Sequence, residues 1–237
     1  MNDGQKVAIV TGGSQGIGAS VVAAYRQQGW SVVASARKMK PSGDPDVLTV
    51  EGDIADPATA ERIVSEALGR FGHIDTLINN AGVYISKPFT DYTAEDYAVV
   101  VGVNLTGFFW LTQRVIPEML KRRGGHVVNI SASIADYTDS TVPTVLGALT
   151  KGGLASATRS LAVEYASRGI RVNAVSPGII QTPMHAADSY QELGDQLPPL
   201  GRVGQISDVV GCILFLEASP YITGEILHID GGQTAGH

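Results

Sequence analysis

Eight residues near the start carry the first chemical signal: Thr11-Gly12-Gly13-Ser14-Gln15-Gly16-Ile17-Gly18, directly after an apolar run ending at Val10. Glycines at 12 and 16 let a backbone turn tightly and come close to a diphosphate. A glycine at 18 lets the following helix pack closely on the strand. The N-terminus of that helix adds unpaired N–H groups and the positive end of its dipole. Ser14, Gln15 and Ile17 belong to the same loop. The spacing is G-x-x-x-G-x-G, neither the Rossmann G-x-G-x-x-G nor a Walker loop with its Gly-Lys-Ser/Thr ending. An ordinary glycine-rich turn stays open as the plain alternative on these residues alone.

A second run bears on which dinucleotide such a loop would take. The next strand ends Ser35-Ala36-Arg37-Lys38. An acid at this point meets a ribose 2′-OH, whereas a 2′-phosphate needs cations. Ala36 stands where the acid would, and Arg37 and Lys38 follow, so NADP(H) is favoured over NAD(H). The alternative is that both are solvated loop charges. His73, His126, His185, His228 and His237 share no metal-ligand spacing, and no metal is expected. Cys212, the single cysteine, lies in the apolar run Val209 to Leu216 and reads as a small core residue.

The elements that must position these residues follow from the apolar pattern. Lys6 to Val10, Ser31 to Ser35, Val47 to Val50, Ile74 to Asn79, His126 to Ser131, Ile170 to Val175 and Glu225 to Ile229 read as strands. Several carry consecutive Val and Ile, as strands covered on both faces do. Gly16 to Gln28, Pro57 to Arg70, Ala94 to Arg122, Thr144 to Ser167 and Ser207 to Leu216 read as helices. The alternation predicts an α/β fold: one Rossmann-like doubly wound parallel sheet of about seven strands, helices on both faces. No linker or repeat divides the chain, so one domain over 1–237 is expected. A polar flap at 184–199 is expected beside the ligand site.

Of 237 residues, 44% are hydrophobic and 17% charged, which excludes a disordered chain. The net charge of −6 argues against a nucleic-acid binder. The one basic cluster, Lys121-Arg122-Arg123, reads as a helix C-terminus. No uninterrupted apolar run reaches the ~18 residues of a membrane helix. The start of the chain lacks a signal peptide's pattern, which predicts a cytoplasmic protein.

In order, these segments and others resemble the short-chain dehydrogenase/reductase family over Val7 to Gly232. Thr11 to Gly18 matches its T-G-x-x-x-G-x-G cofactor loop. Gly52-Asp53-Ile54 resembles its adenine-contacting segment. Asn79-Asn80-Ala81-Gly82 is its N-N-A-G motif. Asn104, in Val103-Asn104-Leu105, is similar to its active-site asparagine. Ser176-Pro177-Gly178, with Ile180 and Thr182 beyond, resembles the segment that holds the nicotinamide carboxamide. Asp230-Gly231-Gly232 matches its usual ending. The resemblance implies hydride transfer between a nicotinamide and a small carbonyl or alcohol substrate. Substrate would enter between the 135–143 loop and the flap. It also implies a homo-oligomer, usually a tetramer, with Val99 to Trp110 and Ile226 to His237 as interface candidates.

The family's chemistry uses a serine, a tyrosine and a lysine, the tyrosine four residues before the lysine. The phenol is the general acid. The lysine lowers its pKa and binds the nicotinamide ribose, and the serine hydrogen-bonds the carbonyl. The asparagine holds a water that links the lysine to solvent. Lys151, in Thr150-Lys151-Gly152-Gly153-Leu154, matches the lysine's run, but four residues before it stands Gly147. Direct alignment from Ile130 puts the serine at Ala132; a small slip brings Ser133 into the role, with Ser131 on the same face of a continued strand. Alternatively, both serines only satisfy local backbone groups. Proton donors to weigh are Tyr137 from the loop after strand five and a water held by Lys151 and Asn104; the hydroxyls of Thr144 and Thr150 are too weakly acidic. The leading reading is an NADP(H)-dependent oxidoreductase with an atypical proton donor. The alternatives are a cofactor-binding protein of this fold with little reductase activity, or a non-redox enzyme such as an isomerase or dehydratase.

Overall fold

The computed structural model describes residues 4–139, 141–182 and 198–236. Seven strands form one sheet: β1 (Val7–Thr11), β2 (Ser31–Ala36), β3 (Val47–Glu51), β4 (Thr76–Asn79), β5 (Gly125–Ile130), β6 (Ile170–Pro177) and β7 (Ile226–Ile229). Their spatial order is β3-β2-β1-β4-β5-β6-β7, every pair parallel. The order reverses between β1 and β4. At that switch point the loops leaving the two strands diverge, and the crevice above their C-terminal ends is where open α/β sheets place ligands.

Alternation along each strand builds two cores. Ile9, Val33, Leu77, Val127 and Val172 face one side. There they meet α2 (Pro57–Phe71), α4 (Gly107–Arg122) and Ala162 of α5 (Val145–Tyr165). Their neighbours Ala8, Val10, Val32, Ile78, Val128 and Val175 face the other. These meet α1 (Gly16–Gln27) and α6 (Ile206–Ala218). Both faces are covered, which is why the strands read as unbroken apolar runs. Cys212 packs beside the second core, and burial pushes its thiol pKa up.

The helix ends have local causes. Asp56 caps α2 by accepting from the Ala58 N–H at 2.9 Å, Pro57 follows it, and Gly72 closes the helix at φ 84°. The basic cluster does close a helix: α4 ends at Arg122, with Arg123 left-handed behind it. The expected helix 94–122 is one continuous stretch whose winding changes partway. α3 (Ala94–Val101) passes through a π-helical turn at Gly102–Thr106 into α4. Ala94–Lys121 is long and apolar enough to cross a bilayer by length and composition alone, though charged residues interrupt it. In the fold it lies along the sheet, with Leu111, Val115 and Met119 fully buried in the first core.

A buried polar network sits at the opposite end of the sheet from the switch point. Thr76, His126 and Arg171 are register neighbours on β4, β5 and β6. Glu217 of α6 accepts hydrogen bonds from Tyr25 (3.1 Å), Thr76 (3.0 Å) and His126 Nδ1 (3.0 Å). His126 Nε2 faces donors on Arg171 and Asn173, so the neutral Nδ1–H tautomer satisfies every partner. Burial lowers the His126 pKa; for Glu217 burial pulls upward, but the hydrogen bond and charge interaction with His126, together with the hydrogen bonds from Thr76 and Tyr25, bring its pKa below the ordinary value. Both shifts act in the same sense. The unfolded chain binds more protons, so stability is complete above the ordinary histidine pKa of ~6.5 and falls as pH drops below it. Glu217→Ala, which strands three donors, is expected to destabilise the fold by about 3–5 kcal/mol in denaturant titrations at pH 7. It should also flatten the acid limb of the stability curve.

Candidate functional site

A cavity of about 1060 Å³ opens at the switch point, and Gly12, Gly16, Gly18, Arg37, Lys38, Asp53, Asn104, Ser133 and Lys151 all line it, whereas Asn79, Thr150, Ser176 and Asp230 do not. Its first wall is the glycine loop. Gly12 and Gly16 take φ of 67° and 57°, conformations that favour glycine. A Cβ at Gly18 would collide with the Gly12 carbonyl and with Asn80 Nδ2. Gln15 precedes α1 with no side-chain cap, and no acid lies in its first turn. The N-terminal N–H groups therefore face the cavity side without a side-chain partner.

The loop is locked to the end of β4. The Thr11 hydroxyl accepts from the N–H groups of Asn80 and Ala81, each at 3.0 Å. Asn80 Nδ2 donates back to the Thr11 carbonyl at 2.8 Å. Arg37 and Lys38 line the cavity just beyond β2, both exposed. Asp53 and Ile54 follow β3; Ile54 is buried, and Asp53 caps its own turn at the Ala55 N–H. On the far side, β6 ends at Pro177. The Gly178 N–H donates to the Ile229 carbonyl at 3.0 Å, and a Cβ there would press on Asp230. Ile180 bridges to Gly204, and Thr182 lines the same wall.

Asn104 and Lys151 meet at the centre. The π-helical turn carries Asn104, as bulges at functional sites often do. Its Oδ1 accepts from the Val83 N–H at 2.9 Å; its Nδ2 donates to the Val83 carbonyl at 3.0 Å and to Thr150 at 3.1 Å. The side chain thus pins the loop after β4 to the lysine's helix. Lys151 Nζ donates to the Ile130 carbonyl at 2.7 Å. Among the described residues no carboxylate lies within ion-pair distance of it. Burial alone lowers its pKa to about 8. A Cβ on Gly82 would lie 3.3 Å from Nζ and 3.5 Å from Asn104 Oδ1, so Gly82 keeps the floor between them open.

The two serines part company. β5 stops at Ile130, and a 3-10 turn begins at Ser133, so the strand does not continue as expected. Ser131 donates to the Lys151 carbonyl at 3.2 Å, whereas Ser133 donates to Gln233 Oε1 at 2.9 Å. Both are buried, and Ala132 lies between them on the cavity wall. Gly147 is the third residue of α5, close enough to the helix start that its cost there is small. A Cβ on it would lie 2.7 Å from Ile134 Cδ1 and 3.3 Å from Tyr84 Cε2. Those two side chains fill part of the space above Gly147. Burial raises the Tyr84 pKa, and its hydroxyl shares a hydrogen bond with Ser86.

Tyr137 lines the cavity too, its N–H donating to the Ser133 carbonyl at 2.8 Å. The flap falls almost wholly outside the described residues, as does His185; only Pro198 and Pro199 are seen, packed against Gly231 and Gly232. His73 and His228 pair with Asp75 and Asp136, and Arg202 with Asp208. Sequence reasoning missed Tyr84, Ile134 and Gln233. Val83-Tyr84 follows the N-N-A-G motif directly, a signal that proximity alone could have raised.

The family model described as enoyl-(acyl carrier protein) reductase matches residues 12–234. The 3-oxoacyl-(acyl-carrier-protein) reductase FabG of Thermotoga maritima is 35% identical over 244 residues, covering 96% of this chain and 97% of that protein. A short-chain type dehydrogenase/reductase of Mycobacterium marinum superposes with a TM-score of 0.91 at 30% identity, covering 98% of this chain and 96% of that one. ElxO with NADP bound gives 0.88 at 28% identity, over 98% and 100%. The 3-ketoacyl-(acyl-carrier-protein) reductase of Brucella melitensis complexed with NADH gives 0.89 at 29%, over 97% and 98%. A sheet wound about this switch point, the glycine loop on β1 and a match spanning nearly the whole chain agree: the protein belongs to the short-chain dehydrogenase/reductase family.

Proposed function

We propose that the protein is an NADP(H)-dependent oxidoreductase that interconverts a carbonyl and an alcohol, with a proton donor other than the family's tyrosine. The observation that carries this is a single cavity bordered by an uncapped helix N-terminus, two cations and a centre formed by buried Asn104 and half-buried Lys151. That donor set suits an elongated anionic ligand. Gly12 to Gly18 and the α1 N-terminus would take the diphosphate, Arg37 and Lys38 a 2′-phosphate, and Asp53 the adenine. Lys151 would hold the nicotinamide ribose, with Asn80, Gly82, Pro177, Gly178, Ile180 and Thr182 around the ring. Bound there, the dihydronicotinamide supplies a hydride to a carbonyl carbon. The oxygen then needs a hydrogen-bond donor and a proton. Carbonyls of the 3-oxoacyl type, named for the curated relative, are the substrates to test first.

A fluorescence titration with NADPH and NADH tests the cofactor reading. NADPH should bind at least about tenfold more tightly, and Arg37→Asp should erase the difference by repelling the 2′-phosphate. Failure to bind either nucleotide sinks the proposal. A second reading, a cofactor-binding protein with little reductase activity, is favoured by Gly147 and by the Ile134 methyl beside it. Turnover of ~1 per second or faster on any carbonyl would exclude it. The outer faces of α3 to α5 expose Val99, Phe109, Leu149 and Val163, apolar surface that a homo-oligomer would cover.

A further inference from the structure

The reading as a carbonyl reductase leaves one requirement unmet, and this inference rests on that reading. The substrate oxygen needs a hydrogen-bond donor as negative charge grows on it. Ala132 offers none.

The C-terminal turn brings a residue into the cavity that no motif announces. Gln233 opens a short 3-10 turn behind β7 and lines the cavity wall. Its placement is built. The Asp230 carboxylate accepts from the Gly232 N–H (3.0 Å), the Thr234 N–H (2.8 Å) and the Thr234 hydroxyl (2.6 Å). Gly231 and Gly232 adopt φ of 66° and 93° to make the turn. β7 is itself fixed to β6, with Ile229 opposite Pro177. Gln233 is therefore carried on the sheet, and its side chain meets buried Ser133 at 2.9 Å across 100 residues of sequence.

An amide and a hydroxyl can share this bond in either sense. In one, Ser133 donates to Oε1, and both hydrogens of Nε2 stay without an acceptor among the described residues. In the other, Nε2 donates to Ser133 Oγ, and the serine hydrogen is released toward the cavity. Each sense uses one hydrogen internally and leaves at least one donor on the cavity wall. A lone serine could instead turn its hydrogen to the nearest carbonyl; Gln233 gives it a better partner and a defined direction.

We propose that Gln233 and Ser133 act as one unit that donates a hydrogen bond to the substrate's carbonyl oxygen, in place of the donor that Ala132 lacks. Gln233 is then a catalytic residue brought by the C-terminal turn. A substrate carbonyl flanked by a second acceptor, as in a 3-oxoester, suits a unit with more than one hydrogen to give.

The test compares wild type, Gln233→Met, Gln233→Glu and Ser133→Ala. Methionine keeps the length and loses the donors; glutamate can still accept from Ser133 but sets a negative charge against the oxygen. Ethyl acetoacetate is the probe. First, its binding to the protein with NADP+ is followed by NMR, using ester labelled with 13C at the ketone. The ketone resonance of bound ester should move downfield in wild type and stay near its solution position in Gln233→Met. Second, steady-state reduction should show kcat lowered about 10²-fold in Gln233→Met and further in Gln233→Glu, with KM changed far less. NADPH affinity and melting temperature serve as folding controls. If Gln233→Met binds NADPH normally and keeps kcat and the 13C shift of wild type, the unit is refuted while the reductase reading stands. If wild type binds NADPH but neither binds nor reduces ethyl acetoacetate or any of a panel of ketones, diketones and ketoesters, both readings fall together.

Discussion

Lys151→Met is expected to lower kcat/KM for carbonyl reduction by about 10³-fold and to weaken NADPH binding. The lysine is half-buried on the cavity wall, no carboxylate among the described residues lies within ion-pair distance of it, and it donates to the Ile130 carbonyl at 2.7 Å. Burial without a carboxylate partner brings its pKa down to about 8. An ammonium in that range releases a proton far more readily than an exposed lysine does, which matters where no phenol stands on residue 147. The sign of the pH dependence follows. Reduction consumes a proton, so kcat/KM should be level below about 8 and fall as pH rises through it. The reverse oxidation should rise over the same range. Stability should run the other way. Between about 8 and the ordinary value of 10.5 the unfolded chain holds the extra proton, so the protein without nucleotide gains stability as pH rises. An activity limb and a stability limb of opposite slope, both lost in Lys151→Met, would identify this group. A reduction rate level from pH 6 to 10 would remove Lys151 from the proton's route.

Much of this site was legible before folding, for a physical reason. Chemistry that depends on backbone approach writes itself as glycines at fixed spacing, and Thr11 to Gly18 does so on one strand-to-helix junction. Strands covered on both faces write themselves as consecutive Val and Ile, and all seven were found within two residues of their ends. What stayed hidden depends on distant partners. Nothing near Ser133 in sequence points to Gln233, and nothing near Gly147 points to Tyr84 or Ile134. The helix over 94–122 shows in its apolar pattern, but the π-helical turn that carries Asn104 within it leaves no mark in that pattern. His126 shares no ligand spacing in sequence, and its meaning lies in register, with Thr76 and Arg171 beside it and Glu217 across from it. The strand's end at Ile130, rather than at Ser131, decided that the two serines serve different partners.

Gly147→Tyr alone should give a less stable protein with little gain in rate; Gly147→Tyr combined with Ile134→Ala should raise kcat about 10²-fold or more above wild type. The phenol would stand one helical turn before Lys151, on the same face of α5. The obstacle is steric. Its Cβ would come within 2.7 Å of Ile134 Cδ1 and 3.3 Å of the Tyr84 ring. Overpacking of this kind typically costs ~1–3 kcal/mol, and a phenol forced off its rotamer would miss the carbonyl oxygen. Removing the Ile134 methyls clears the nearer contact and leaves the glycine loop, Asn104 and Lys151 in place. Ile134→Ala alone adds no acid and should gain nothing, which separates the new proton donor from mere room. NADPH affinity should stay close to wild type in all three. A double variant slower than wild type would mean that the natural protein already owns a donor in that space. Tyr84, whose ring edge lies against Gly147, would then be the side chain to remove, with Tyr84→Phe predicted to lose what the added tyrosine could not improve.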